Sequence, residues 1–394
     1  MTTVRTGAEV LAASRFQGLD GKRVGLIANS ASMVGDAHLA GLLNRAPNLK
    51  LAAILAPEHG FRMADEAGAH VEDAIDPITG KPVFSLYGAT QKPSPGMLRD
   101  VDALAFDLQD VGVRFYTYIS TLGLSMQAAA EACVPFVVLD RPNPIGGEYV
   151  SGFILEAEER SFAGVYEIPL IHGLTVGELA NLIKGQRLLE GLEDLHLIVI
   201  PMEGWQRWMR WPDTHLSWRR TSPSIVTFET ALVYAGLGLF EATSISYGRG
   251  TDTPYTVLGA PWLDADSMAG TLSSLDLPGV SFRPTQFKPQ SMPGMASQPV
   301  FEGQLIPGIR ILVCDFRTYR PLETALHLLK EFNREARRRN ERDFISRVEW
   351  LNKLSGTKKL AGSIDSDVEV EEIVKMWQRD VELFEGLRSR YLLY

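Results

Sequence analysis

Residues 101–110 read VDALAFDLQD, an apolar run that becomes polar where it ends. The same pattern recurs at 23–32 (RVGLIANSAS), at 49–60 (LKLAAILAPEHG) and at 135–144 (PFVVLDRPNP). A short apolar run bounded by turn-forming residues is typical of a strand buried in a parallel sheet. Because ligands bind beyond the carboxyl ends of such strands, the sequence predicts a polar site along this edge of the sheet.

Helical patterns alternate with these strands. Apolar residues recur at helical spacing over 36–45 and 122–133, and the segment 175–191 begins with a capping box. Further strand-like runs lie at 82–87 and 196–200. This alternation indicates βαβ units, so the sequence predicts an α/β fold with a mostly parallel sheet.

The later part of the chain has a different character, with longer helices and few strands. Its predicted elements are helices at 229–236, 321–339 and 366–394 and a strand at 309–316. No internal repeat or low-complexity linker separates it from the part before it. We therefore expect two closely packed domains, residues 1–228 and 229–394, the second of them smaller.

Composition and charge restrict the possible partners. The 394-residue chain is 45% hydrophobic and 22% charged, which is ordinary for a globular protein, and its formal net charge is −9. Such a chain has no surplus of cations to neutralise a nucleic acid or an anionic bilayer, so we expect neither as a partner. The longest apolar run, 231–240, is too short to span a bilayer, and no leader pattern opens the sequence. We expect a cytoplasmic location.

Cofactor and metal motifs are missing from the sequence. Its two cysteines, Cys133 and Cys314, cannot build a disulfide framework or a four-thiolate zinc site, and their apolar surroundings predict that both are buried. The first strand is not followed by a dinucleotide-binding glycine pattern or a phosphate-loop lysine. Neither paired metal-binding histidines nor a Gly-x-Ser-x-Gly nucleophile motif is present. We expect no cofactor and no metal ion.

Carboxylates are the reactive groups that remain. Glu58, Asp107, Asp110 and Asp140 all follow predicted strands, where each of them is as well suited to capping a helix or closing an Asx turn as to catalysis. Glu58 comes after an apolar strand and Pro57, so partial burial would raise its pKa toward that of a general acid. It is the first candidate for a catalytic residue.

These same segments resemble a known family. The motifs that carry the resemblance are PEHGFR at 57–62, DLQDVGVRFYTY at 107–118, DRPNPIGG at 140–147, HGLTVGELA at 172–180, GRGT at 248–251 and GAPW at 259–262. Together, and in this order, they are similar to the exo-β-N-acetylmuramidase (NamZ-like) family of bacterial glycoside hydrolases, formerly a domain of unknown function. The resemblance covers about residues 20 to 390.

The resemblance implies a Rossmann-like N-terminal domain, a smaller α+β C-terminal domain and a cleft between them. It implies removal of terminal β-N-acetylmuramic acid from the non-reducing end of peptidoglycan-derived saccharides, as in cell-wall recycling, with Glu58 as the general acid. The second catalytic group would be Asp110 or the acetamido oxygen of the substrate. Arg114 or Arg249 would pair with the lactyl carboxylate of the sugar. The residues expected to bind substrate in the cleft are Asn29, His59, Gln109, Arg114, Tyr116, Asn143, Arg249 and Thr251.

The chain departs from the family pattern in its second part. Ser224 and Ser244 stand where the family commonly has Asn, and Tyr247 stands where it commonly has Glu. Losing hydrogen-bonding groups at a sugar site would change substrate choice. Two alternatives therefore stay open: a muropeptide-binding protein without turnover, and a hydrolase of a different N-acyl amino sugar. Glu241, which is retained, is either structural or a second acid, and the sequence does not determine the oligomeric state.

A cluster of tryptophans between 205 and 218 has two interpretations. Trp205, Trp208, Trp211 and Trp218 lie among arginines and prolines in a segment that does not read as a regular element. Tryptophan is more often part of a core than of a sugar-stacking surface, although its ring suits either. The sequence leaves both interpretations open.

Overall fold

The computed structural model describes residues 3–63, 66, 73–88, 90–341 and 343–394. The strands of the first part are β1 (Arg23–Ala28), β2 (Met33–Val34), β3 (Ala37–His38), β4 (Lys50–Ala56), β5 (Ala74–Ile75), β6 (Pro82–Ser85), β7 (Ala103–Asp107), β8 (Phe136–Leu139) and β9 (Leu197–Ile200). Seven of them form one sheet in the order β5-β6-β4-β1-β7-β8-β9, in which the β5–β6 pair is antiparallel and the others are parallel. The predicted α/β fold is confirmed.

The strand order explains where a ligand site can form. β1 lies inside the sheet, with β4 on one side and β7 on the other, so the chain reverses its direction of winding between β1 and β7. β1 and β7 are almost wholly buried, because helices cover both faces of the sheet. In such a doubly wound sheet the loops after the strands diverge and leave room for ligands at the carboxyl edge.

The helices of the first part are α1 (Gly7–Ala13), α2 (Leu39–Arg45), α3 (Tyr118–Glu131) and α4 (Val176–Gly185). The predicted capping box is present at α4, where Thr175 and Glu178 each accept a hydrogen bond from the other's backbone N–H. α2 begins later than predicted because the β2–β3 hairpin takes up the preceding residues. α3 begins four residues earlier than predicted, and α4 ends six residues earlier.

The second part contains α5 (Phe228–Leu237), β10 (Val257–Gly259), α6 (Ala265–Ser274), β11 (Val280–Phe287), β12 (Ile306–Val313), α7 (Pro321–Arg338), α8 (Val348–Ser355), α9 (Lys359–Asp365) and α10 (Val370–Arg388). The three strands form an antiparallel sheet in the order β10-β12-β11. The predicted final helix is shorter than expected, and α6, α8, α9, β10 and β11 were not predicted. The expected boundary between 228 and 229 falls after the first residue of α5, and the division into two domains stays a prediction.

The two parts share one hydrophobic core, and polar contacts also join them. From the end of α10, Arg388 donates hydrogen bonds to the carbonyls of Gly147 (2.9 Å) and Gly173 (2.7 Å). Tyr394 donates from its hydroxyl to Asp140 Oδ2 at 2.9 Å. The end of the second part is therefore docked on loops of the first, immediately after β8 and before α4.

The exposure of the cysteines and of the tryptophan cluster tests two of the expectations from sequence. The prediction that Cys133 and Cys314 are buried is wrong: both are exposed, because Cys133 lies in the turn after α3 and Cys314 lies just beyond β12. In the tryptophan cluster, Trp205 and Trp211 are buried whereas Trp208 is exposed.

Within the described residues, no helix is both long enough and apolar enough to cross a bilayer.

Candidate active site

A cavity of about 440 Å³ lies at the carboxyl edge of the sheet, between the two parts of the chain. Its wall on the first part comes from the segments that follow β4, β6, β7, β8 and β9, the last of which contributes Ser224. Its wall on the second part comes from α5, the 241–255 segment and α8. The polar and aromatic residues that line it include Glu58, His59, Tyr87, Tyr116, Thr117, Tyr234, Glu241, Arg249, Tyr255, Arg347, Trp350 and Lys353.

Glu58 is held at the sheet edge by its own turn and by α3. The chain leaves β4 at Pro57, and His59 and Gly60 then adopt positive φ angles of 72° and 75°, which turn the backbone sharply. Glu58 is 7% exposed, and its carboxylate accepts a 2.6 Å hydrogen bond from Thr117 Oγ1. Thr117 occupies the N-cap position of α3, but its hydroxyl serves Glu58 and makes no capping bond. This contact orients the carboxylate at the cavity wall.

Glu241 is a second carboxylate in the same cavity. It lies in the short helical turn Gly238–Ala242 after α5, and its Oε1 accepts a 2.8 Å hydrogen bond from the Tyr255 hydroxyl. Burial raises the pKa of Glu241, and the charge of Glu58 raises it further, whereas Arg249 and the bond from Tyr255 oppose this rise. A carboxyl group in such surroundings keeps its proton to a higher pH than a solvated one. The cavity therefore combines two carboxylates in different environments.

Arg249 is a cation whose partners lie within the site. It stands between Gly248 and Gly250, which both adopt positive φ angles, and its Nη2 donates to the carbonyl of Met295 and lies 3.6 Å from Glu66 Oε1. Burial alone would lower the pKa of Arg249, but the neighbouring Tyr255, Tyr247 and Glu241 raise it overall. The charge of this guanidinium is thus already compensated.

Aromatic rings form one wall of the cavity. The ring centroids of Tyr116 and Tyr234 are 6.1 Å apart, and those of Tyr234 and Tyr255 are 4.8 Å apart, both edge to face. Tyr247 stacks on Tyr255 at 5.6 Å. Burial raises the pKa of all four hydroxyls, so they stay protonated at neutral pH. Rings with polar tips suit a ligand that has both apolar faces and hydroxyl groups.

The structure brings some of the predicted site residues together and places others elsewhere. Glu58, His59, Tyr116 and Arg249 line the cavity. Arg114 does not: its side chain is fully buried and donates to the backbone carbonyls of Phe153 (2.8 Å), Ile168 (2.7 Å) and Leu354 (3.3 Å). Its guanidinium joins segments of the backbone, so a role in pairing with a substrate carboxylate has no support from its position.

The remaining predicted residues are also outside the lining of this cavity. Asn29 Oδ1 accepts from Ala31 N and Asn143 Oδ1 from Ile145 N, so both close Asx turns. Thr251 donates from its hydroxyl to the carbonyl of Gly248, three residues earlier in the same loop. These contacts are those of residues that shape loops.

Gln109 and Asp110 lie just after the end of β7, outside the lining of the large cavity. Asp110 Oδ2 accepts from Gly112 N at 2.7 Å and is 3.5 Å from His172 Nε2, while the side chain is almost completely buried. Gln109 Nε2 donates to the carbonyls of Asp110 and Pro142, both at 2.8 Å. Gln109 and Arg141 line a separate, smaller cavity of about 240 Å³ beyond the ends of β1, β7 and β8. The second carboxylate of the large cavity is Glu241, not Asp110.

Sequence analysis missed the contribution of α8. Arg347, Trp350, Lys353 and Leu354 all line the large cavity from this helix and its N-cap. No strand end or family motif marks this segment. The available signal was their spacing of three and four residues, which puts cations and an aromatic ring on one helix face. Tyr87 and Thr117 were also missed, although Tyr87 ends the predicted strand at 82–87 and Thr117 lies in the family motif at 107–118.

Among the residues that the structure describes, no cluster of three or more His, Cys, Asp or Glu side chains is arranged to hold a metal ion.

Comparison with known proteins identifies the family. Residues 24–229 match the model for the N-terminal region of the exo-beta-N-acetylmuramidase NamZ, and residues 232–394 match the model for its C-terminal region. The chain is 40% identical over 392 residues to the peptidoglycan beta-N-acetylmuramidase NamZ of Bacillus subtilis strain 168, an alignment that covers 99% of this chain and 91% of the relative.

Two solved structures from Bacteroides fragilis NCTC 9343, both of DUF1343 family proteins, have the same fold. One is 36% identical with a TM-score of 0.90, and the alignment covers all of both chains. The other is 32% identical with a TM-score of 0.77, and the alignment covers all of this chain and 99% of the other. From the two family models and the full-length identity, we conclude that this chain belongs to the exo-beta-N-acetylmuramidase NamZ family.

Proposed function

We propose that this protein is a glycosidase that removes terminal β-N-acetylmuramic acid from the non-reducing end of peptidoglycan-derived saccharides. The observation that carries the proposal is the pair Glu58 and Glu241 in one cavity of a chain that belongs to this family. The cavity volume of about 440 Å³ is within the range of small-molecule binding sites. Hydrolysis of a glycosidic bond needs a carboxylic acid and a second group that meets the developing positive charge.

In this mechanism Glu58 is the general acid. Thr117 Oγ1 donates to Glu58 Oε2 and so fixes the orientation of the carboxyl group, which in this mechanism protonates the glycosidic oxygen of the leaving sugar. The acetamido oxygen of the substrate, or Glu241 at a pH high enough for its carboxyl group to ionise, stabilises the oxocarbenium-like transition state. Both groups act without a cofactor. Tyr234 and Tyr255 form the wall against which the sugar ring packs.

The decisive experiment measures release of free N-acetylmuramic acid from a synthetic N-acetylmuramyl-N-acetylglucosamine disaccharide. Glu58→Gln should lower the rate at least about a hundredfold, because a general acid contributes 10²–10⁴-fold. Glu159→Gln is a matched control, since Glu159 is also a buried glutamate but lies outside the cavity. Undiminished release by Glu58→Gln would show that the acid has been assigned to the wrong residue.

A different N-acyl amino sugar is the second candidate substrate. Tyr247 stands where the family commonly has Glu, and its ring packs on Tyr255 beside Arg249, next to the cavity wall. Comparing chromogenic N-acetylmuramide and N-acetylglucosaminide substrates tests this alternative. Binding of the disaccharide without turnover by the wild-type protein would instead support a muropeptide-binding role.

The cellular setting is also part of the proposal. A cytoplasmic location and a role in cell-wall recycling would suit an enzyme that acts on small saccharide fragments. Fractionation of the source cells, with assay of each fraction, tests the location. Growth on muropeptide-derived sugars with and without the gene tests the role in recycling.

A further inference from the structure

The face of α8 that lines the cavity carries two positive charges. Arg347 precedes the helix as its N-cap residue, and Lys353 lies in its last turn. Trp350 lies between them, and all three residues line the cavity. Glu58 lies on the opposite part of the chain. The cavity therefore has the acid on its first-part wall and cations on its second-part wall.

These two cations differ from the other arginines considered for binding an anion. Arg114 is used by backbone carbonyls, and the charge of Arg249 is compensated by Glu66 and its neighbours. Arg347 Nη1 lies 3.5 Å from the backbone carbonyl of Glu241, and its guanidinium carbon is 5.4 Å from the centroid of the Trp350 ring. Neither contact neutralises the charge of Arg347.

Lys353 is half-buried and faces the same space. Among the described residues, no carboxylate oxygen forms an ion pair with its Nζ within 4.0 Å, although many lysines and arginines elsewhere in this chain have such a partner. A half-buried ammonium group beside a cavity is best compensated by an anion that enters the cavity.

We propose that Lys353 and Arg347 bind the anionic substituent of the sugar, which on N-acetylmuramic acid is the carboxylate of the lactyl ether. The inference rests on the proposed function, because it assigns a binding partner to part of that substrate. Glu58 and Glu241 also line the cavity, and whichever of them is ionised disfavours a further negative charge unless cations meet it. The ammonium and guanidinium groups of α8 supply that attraction. A sugar without the carboxylate leaves them uncompensated, so α8 selects against N-acetylglucosamine at this position.

The test compares two disaccharides that differ in one group: the lactyl carboxylate and the corresponding lactyl carboxamide. We expect the wild-type protein to cleave the carboxylate with a kcat/KM at least about tenfold higher, as for a charge-assisted contact. Lys353→Gln should lower kcat/KM for the carboxylate about tenfold, mainly through KM, and change that for the carboxamide less than about twofold. Lys353→Arg should restore most of the preference, which a merely structural lysine would not require.

Lys358→Gln provides the matched control, because Lys358 is an exposed lysine just beyond α8 and does not line the cavity. The inference is overturned if Lys353→Gln and the double variant Lys353→Gln/Arg347→Gln both keep the wild-type preference for the carboxylate. In that case the wild-type activity still supports the proposed function. If the wild-type protein cleaves neither compound, the proposed function fails, and calorimetric binding of both disaccharides to wild type and Lys353→Gln then decides the inference by the same preference.

Discussion

The hydrogen bond from Thr117 to Glu58 leads to a sharp prediction for Thr117→Val. The substitution keeps the shape of the side chain and removes the hydroxyl that lies 2.6 Å from Glu58 Oε2. Glu58 becomes negatively charged as it gives up its proton, and a hydrogen bond to a charged group contributes about 1.5–3 kcal/mol. If that energy is used to hold the acid in its reactive orientation, kcat should fall about 10- to 150-fold, because each 1.4 kcal/mol corresponds to a factor of ten. KM should change little.

The assay is the initial rate of N-acetylmuramic acid release from the disaccharide, measured with thermal unfolding of the same preparations. Thr121→Val is the control: its hydroxyl is also buried in α3, but it donates at 3.4 Å to the backbone carbonyl of Thr117 and does not contact Glu58. Thr121→Val should retain kcat within about threefold. A Thr117→Val protein that is folded and has a kcat within twofold of wild type would refute the positioning argument.

Three further predictions concern stability. Arg114→Leu removes the donor to the buried carbonyls of Phe153, Ile168 and Leu354, of which Ile168 keeps a bond from Leu155 N at 3.3 Å. At about 1–3 kcal/mol for each of the other two carbonyls, chemical denaturation should show a loss of at least about 2 kcal/mol; an equally stable variant would contradict the structural role of Arg114. Tyr394→Phe removes the hydrogen bond to Asp140 and the one accepted from Met202 N, and should lower the free energy of unfolding by about 2 kcal/mol. Leu393→Ala, a substitution at the exposed neighbouring residue, should lower it by less. Burial raises the pKa of Asp140 to about 7, against hydrogen bonds from Gly177, Thr175 and Tyr394 that lower it. Between pH 4 and 7 the folded protein thus holds a proton that the unfolded chain has released, and the contribution of Asp140 to stability should fall as the pH rises, by up to about 1.4 kcal/mol per pH unit; a denaturation series that shows the same slope in Asp140→Asn would contradict this.

The fold of the first part follows from local signals. The central strands are uninterrupted apolar runs, so their positions are legible at β1, β4 and β8 to within a residue or two. The capping box of α4 is equally legible because its two hydrogen bonds are formed by residues three apart. Short elements such as the β2–β3 hairpin have no comparable signal, since their few residues bury little apolar surface.

The candidate site could be predicted only in part, because polar residues at strand ends have two uses. Glu58 and Asn143 both follow buried strands, yet Glu58 faces the cavity and Asn143 closes a turn. What separates them is the direction in which the backbone leaves the strand, and this depends on φ angles such as those of His59 and Gly60. Such angles are not encoded in residue type alone.

The wall from α8 illustrates a different limit. Arg347 and Lys353 come near Glu58 through tertiary packing across almost three hundred residues of sequence, and a single sequence holds no record of that contact. Arg114 illustrates the converse case. It belongs to a family motif beside residues that do line the cavity, but its neighbours in space are carbonyl groups that only the folded chain brings together.

The docking of Tyr394 on Asp140 has a consequence for synthesis of the chain. β9, the last strand of the large sheet to be made, ends at Ile200, and a further 194 residues must be translated before Tyr394 exists (394 − 200). At about 5–20 residues per second this takes roughly 10–40 s. During that interval on the ribosome the nascent sheet lacks one of the donors to its buried carboxylate. Asp140 therefore gains its full set of hydrogen-bond donors only after the second part of the chain has been made.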